Sequence, residues 1–277
     1  MLSFQTNHQE FVPAEELQKS IKCFWYDKIE YGKVQSNFEV IPDGYAEIIF
    51  YFGNELNISS NGVLKPLTSP FMIGLLHQPA VFNSVNSLEI IAVRCYPWMV
   101  FDLLGWSSQK GKEGVQIFEH PIAKLQSVLN NLIASHKIEE AIAKVEDYFF
   151  AAEAKSDSNS LIFKAGIAMT AAGGRISVRE VAAASHATIR TLERNFKQSS
   201  GYTVKDVSAV MRFEQARNRL WLEPNLSIAS LAQELGYTDQ SHLSREFKRY
   251  SGTTPGAFAR KAKQQLINHD FVAFIQS

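Results

Sequence analysis

The chain of 277 residues carries 28 Lys and Arg against 28 Asp and Glu, and 45% of it is hydrophobic. That length suits about two ordinary domains, each with its own core, and the composition excludes a disordered or fibrous chain. No apolar run nears the roughly 20 residues that span a bilayer, and two cysteines, Cys23 and Cys95, exclude a disulfide framework.

The opening residues show no secretion signal, so a cytoplasmic protein with no membrane partner is expected. Zero net charge conceals a split: residues 1–160 hold 12 basic against 19 acidic side chains, and residues 161–268 hold 16 against 8. Halves of opposite sign imply different partners.

In chain order, FEVIPDGYAEIIFYFG sets a Pro-Asp-Gly turn at 42–44 before an apolar strand over 46–52. Runs at 70–76, 80–85 and 88–95 read as further strands, and Asn61-Gly62 as a hairpin turn. Short strands so spaced predict a sandwich or barrel. From 121 the apolar period becomes helical, over 121–136 and 137–155. The stripe Ile122, Leu125, Val128, Leu129 and Leu132 is expected to join two chains. SDSNS at 156–160 is a polar break. The expected class is α+β: a β-rich domain over 1–156 with helices at 121–155, then an all-α domain over 161–268.

Two stretches of the second domain are alike: SVREVAAASHATIRTLERNFKQSSGYTV from Ser177 and SIASLAQELGYTDQSHLSREFKRYSGTTP from Ser227. Val181 aligns with Leu231 and, past a one-residue insertion, Leu192 with Leu243 and Phe196 with Phe247. Ser177 and Ser227 are expected N-caps, with Glu180 completing a capping box. Gly236 suits a tight turn, and Thr238 is expected to cap the helix after it. Each copy reads as a helix-turn-helix, at 177–199 and 227–250, whose second helix can enter the major groove. A helix over 204–222, stopped by Pro224, holds the two units apart. Two readers on one duplex face, roughly 34 Å apart, explain the duplication.

Residues 161–263 resemble the DNA-binding domain of the AraC/XylS family of bacterial transcription regulators. The second copy lies close to that family's signature, and MRFEQARNRL follows its linker pattern Arg-x-x-x-Ala-Arg-x-x-Leu from Arg212. The first copy departs from it, with His186 at a turn position usually held by Gly and Val204 where Pro is usual. The resemblance implies sequence-specific binding of double-stranded promoter DNA. Arg190, Thr191 and Arg194 would face DNA in the first unit, and Gln240, Ser241, Arg245 and Lys248 in the second. His242 is either a phosphate contact or a local packing group. A homodimeric activator acting on promoter occupancy or RNA polymerase recruitment is what the resemblance implies.

The segments VIPDGYAEIIFYFG, IGLLHQPAVF and VRCYPWMVFDLLG resemble the cupin-like N-terminal domain of one AraC-type subgroup. Trp25, Tyr45, Tyr96, Trp98 and Trp106 either line a small-molecule effector cavity or fill the core. Glu47 and Arg94, in apolar strands, join the candidate ligand contacts if they face inward. His8, His77, His120 and His136 lack the close spacing of metal ligands, so no metal or cofactor is expected. Cys23 and Cys95 read as structural thiols. A regulator, not an enzyme, is expected. The alternatives are a ligand-independent regulator whose front domain only assembles, and a DNA-modifying or repair enzyme.

Overall fold

The computed structural model describes residues 7–105, 114–117, 120–153 and 160–268. Its first part is one antiparallel sheet of β1 (Gln9–Phe11), β2 (Ile21–Val40), β3 (Ala46–Gly53), β4 (Leu56–Ser60), β5 (Val63–Pro66), β6 (Phe71–Ile73), β7 (Ala80–Cys95) and β8 (Val115–Ile117). The order is β1-β2-β7-β3-β6-β8, with the β4-β5 hairpin attached along β7. Asn61 and Gly62, at φ 51° and 78°, make the turn of that hairpin. The runs at 80–85 and 88–95 belong to one strand. Asn86, at φ 60°, lies within β7 opposite the irregular stretch of β2 around Gly32, and the paired strands change register there.

Two-residue alternation sends the side chains of the three central strands to opposite faces. Phe24, Tyr26, Ile48, Phe50, Ile91 and Val93 pack under α1 (Val100–Leu104), α2 (Leu125–Ala134) and α3 (Ile138–Glu153). Trp25, Ile49, Ile90 and Ala92 join a second cluster on the other face. The stripe expected to join two chains is covered from within. Ile122 and Leu129 are fully buried, and Leu125 and Leu132 pack on the same cluster. The sheet's apolar outer face needs a cover, and α2 supplies it; only Val128 keeps substantial exposure, at 43%.

The second part comprises α4 (Leu161–Ala171), α5 (Val178–Ala184), α6 (Ile189–Ser200), α7 (Val204–Leu222), α8 (Ile228–Glu234), α9 (Gln240–Ser251) and α10 (Pro255–Asn268). Val207, Val210, Phe213, Ala216 and Leu220 give α7 a fully buried face, and the Phe213 ring lies 5.1 Å from both Phe247 and Tyr250. Sheet domain and helices share one apolar cluster, which Trp98 and Met99 enter from the end of the sheet. The Trp98 ring stands 6.0 Å from Phe196, its carbonyl accepts the Ser199 hydroxyl, and a Cβ at Gly166 would overlap its indole. Among the described residues no helix is long and apolar enough to cross a membrane.

Candidate nucleic-acid interface and effector cavity

The two helical pairs are built alike. Ser177 caps α5 in a full capping box with Glu180, and Ser227 caps α8. Both turns that follow adopt left-handed backbone, at Gly236 with φ 73° and at His186 with φ 53°. The first unit therefore keeps the turn and carries a side chain where glycine is the unstrained choice. Thr188 caps α6. Asp239, not Thr238, caps α9: its Oδ1 accepts the His242 N–H at 2.8 Å. A carboxylate there also suits the positive end of the helix field, which favours Asp over the neighbouring Thr.

Leu192 and Phe196 bury one face of α6, and Leu243 and Phe247 the same face of α9. The opposite faces carry exposed Arg190 and Arg194 on α6, and exposed Gln240, Ser241, Arg245 and Lys248 on α9. Thr191 is half-buried, its hydroxyl 3.0 Å from that of Thr188. His242 is held locally, its Nε2 3.2 Å from Glu246 and its ring edge-on to Tyr237. Among the described residues Arg190, Arg194, Arg245 and Lys248 have no carboxylate partner, whereas arginines of α7 are committed. Arg219 pairs with Glu234 at 2.6 Å, and Arg212 donates to the Gly174 carbonyl at 3.0 Å and meets Glu246 at 3.6 Å.

The inner face of the sheet lines a cavity of about 120 Å³. Trp25 and Glu47 are on its wall. Arg94 stands behind Glu47 because β3 and β7 pair these residues directly opposite one another. Arg94 Nε donates to Glu47 Oε1 at 2.9 Å; Nη2 lies at ion-pair distance, 2.9 Å from the same oxygen and 3.3 Å from Asp43, and the guanidinium lies over Tyr45. Trp25 Nε1 donates to the same Glu47 oxygen at 3.0 Å. Burial lifts the Glu47 carboxyl and Arg94 opposes it, while the two nearby carboxylates hold Arg94 firmly charged. Tyr96 and Trp98 stand elsewhere, stacked 5.3 Å apart against the helical part. Trp106 lies outside the described residues. Sequence reasoning missed four charged members of the wall, Asp27, Glu39, Asp43 and Arg217. Asp43 was signalled only as a turn residue and Arg217 only as a member of the linker pattern.

Helix α7 touches both sites. Arg217 lines the cavity and donates from Nη1 to the Pro42 carbonyl at 3.2 Å. One turn earlier Glu214 lies against Gly44 and Asp43, and burial pushes its carboxyl up to about 7. Burial also pushes the Cys23 thiol up to about 11 and raises that of Cys95, so both thiols stay protonated near neutrality and are poor nucleophiles. Among the described residues no three His, Cys, Asp or Glu side chains are grouped to hold a metal ion.

A helix-turn-helix domain family matches residues 181–261, and a domain of unknown function (DUF6597) matches residues 9–113. The HTH-type transcriptional regulator RipA of Corynebacterium diphtheriae is 36% identical over 69 residues, which are 25% of this chain and 20% of RipA. The transcriptional activator NphR of a Rhodococcus species is 33% identical over 86 residues, 31% of this chain and 25% of NphR. The chain thus spans a fifth to a quarter of these curated relatives. The structure of ToxT from Vibrio cholerae O395 bound to (E)-4-(8-methylnaphthalen-1-yl)but-3-enoic acid is 12% identical, with a TM-score of 0.45 over 94% of this chain and 100% of that one. With its duplicated helix pair, the Arg-x-x-x-Ala-Arg-x-x-Leu helix between the copies and the matched helix-turn-helix model, the second part of the chain carries a helix-turn-helix domain of the AraC type.

Proposed function

We propose that this chain is a sequence-specific DNA-binding transcription regulator that acts in the cytoplasm, without catalysing a reaction, under the control of a small molecule in the sheet-domain cavity. One observation carries the reading: α6 and α9 present unpaired cations, Arg190 and Arg194 on one and Arg245 and Lys248 on the other, on equivalent exposed faces. Such cations meet phosphates or guanine edges, and Gln240, Ser241 and Thr191 beside them suit base edges. His242 serves by holding the start of α9 through Glu246. With α7 fixing their separation, the two readers enter one face of double-stranded promoter DNA about a turn apart. The bound chain then recruits or excludes RNA polymerase. A homodimer on such a promoter joins through a surface other than the α2 stripe, which its own sheet covers.

In the cavity Trp25 and Glu47 meet the effector, Arg94 and Tyr45 hold Glu47 in place, and Tyr96 and Trp98 act at the junction with the helices. A ligand-independent regulator predicts a filled sheet interior; the cavity and its converging buried polar groups favour ligand control. The test is selection of bound duplexes from a random library by the full-length protein, with a salt series on the selected duplex. Two short elements about one helical turn apart are expected. Absence of any enriched element across the salt series refutes the reading.

A further inference from the structure

We propose that the sheet-domain cavity takes a compact organic cation, an ammonium-type group on an apolar body of about one ring, with its charge held by Glu47 and Asp27. The inference rests on the reading of this cavity as the effector site and adds the chemical class of the effector.

Size comes first. A volume of about 120 Å³ is near that of the engineered apolar cavities of about 150 Å³ that hold benzene. Ile49, Phe71, Ile73 and Phe82 make most of the wall apolar and suited to a ring.

Charge decides the class. Four carboxylates line the cavity, those of Asp27, Glu39, Asp43 and Glu47, against one arginine, Arg217. Arg94, behind the wall, is shared between Glu47 and Asp43. Arg217 directs its hydrogen bonds to the Pro42 carbonyl and Asn218, and to none of these carboxylates. His8 is also on the wall, 3.8 Å from Asp27 and 3.4 Å from Glu10, and the Asp27 carboxylate raises its pKa. Counting a charged His8 and Arg94 with Arg217, four carboxylates still face three cations, a surplus of negative charge that an anion would worsen.

Hydrogen bonding points the same way. Glu47 is only 7% exposed, and its Oε1 accepts from both Trp25 Nε1 and Arg94 Nε. Asp27 Oδ1, on the same wall, is buried with no hydrogen-bond partner. An unmet carboxylate oxygen on a largely apolar cavity calls for a guest that donates, and an ammonium group has donors only. Trp25 adds an aromatic ring on the same wall, to which a cation is also attracted.

The test compares three probes of one shape, benzylammonium, benzyl alcohol and benzoate, titrated into the full-length protein at pH 7 and followed by ligand-observed NMR. Benzylammonium is expected to bind at least tenfold tighter than benzyl alcohol, with benzoate weakest. Asp27→Asn and Glu47→Gln should each reduce that preference to less than threefold, and Ile49→Trp, which fills the cavity, should abolish binding. Because Glu47→Gln strips a buried arginine of its partner, Asp27→Asn decides if that variant fails to fold. Alcohol or benzoate binding as tightly as the cation, and still lost in Ile49→Trp, overturns the cation and leaves the cavity as the effector site. Binding of no probe, or binding untouched by Ile49→Trp, overturns both.

Discussion

Replacing Glu214 with Gln is expected to flatten part of the pH dependence of stability. The carboxyl lies on α7 beside the 42–44 turn, where burial and Asp43 push it up to about 7 against the pull of Arg217, Arg94 and Lys22. In the unfolded chain it titrates near 4.5. Between those values the folded chain holds a proton that the unfolded chain has released, so stability falls as pH rises and the loss is complete above about pH 7. A displacement from 4.5 to about 7, at about 1.4 kcal/mol per unit, sets a ceiling of about 3 kcal/mol. The side chain keeps part of its surface near solvent, which lowers the figure toward about 2 kcal/mol. Gln is neutral throughout, so urea unfolding of parent and variant should differ increasingly from pH 5 to pH 8, with the variant gaining. Other titrating groups cancel in the comparison. A difference constant to within about 0.5 kcal/mol over that range refutes the burial of this carboxyl.

Arg245→Ala should weaken binding to the selected duplex and lower the salt slope by about one, because the side chain is exposed and unpaired; thermal unfolding should not move, and an unchanged affinity across the salt series removes Arg245 from the interface. Phe247→Ala should cost about 3–5 kcal/mol, since the ring is fully buried 5.1 Å from Phe213 and 5.4 Å from Phe258; a variant melting with the parent refutes this facing of α9. His186→Gly should stabilise by up to about 1 kcal/mol in urea unfolding, because it relieves left-handed backbone at φ 53°, less the entropy glycine adds to the unfolded chain; a loss of stability shows that the imidazole makes a compensating contact.

Local signals in the sequence were readable where one residue type has one physical use. Ser177 with Glu180 three residues on is a capping box in the structure, and Asn61-Gly62 is the hairpin turn. The family resemblance put His186 at a turn position usually held by glycine, and the backbone there is left-handed. Thr238 misled because it and Asp239 are both good caps, and the choice depends on where the helix axis meets them. Strand β2 escaped notice because Phe24, Trp25 and Tyr26 are all buried, alternately under the helices and toward the cavity, which erases the two-residue signal. Tyr96 and Trp98 follow the last strand residue, Cys95, so alternation no longer fixes their direction, and the helical domain captures them. The period of the α2 stripe was correct as a face, but a period does not say what covers it. Asp27 and Arg217 show the same limit at longer range. The Pro42 carbonyl that Arg217 holds lies 175 residues away in the chain, and no local pattern announces it.

Those distant contacts are where control of the proposed regulator must act. The first reading unit is tied to the sheet domain through Trp98, packed on Phe196 and accepting from Ser199 of α6, with Gly166 leaving no room between. The second unit is tied through α7, whose Phe213 packs on Phe247 of α9 and whose Arg217 reaches both the cavity and the Pro42 carbonyl. A ligand shifts an equilibrium only by the difference in its interactions with the two arrangements. On the proposed reading, an effector that repositioned Arg217 would change the hold on α7 and, through Phe213 and Phe247, would bear on α9. The spacing of the two readers is the quantity on which simultaneous entry into successive grooves depends. A change of about 1.4 kcal/mol in that hold is a tenfold change in occupancy of unsaturated DNA. Coupling therefore needs no long pathway through the protein, only one helix that two domains grip at different points.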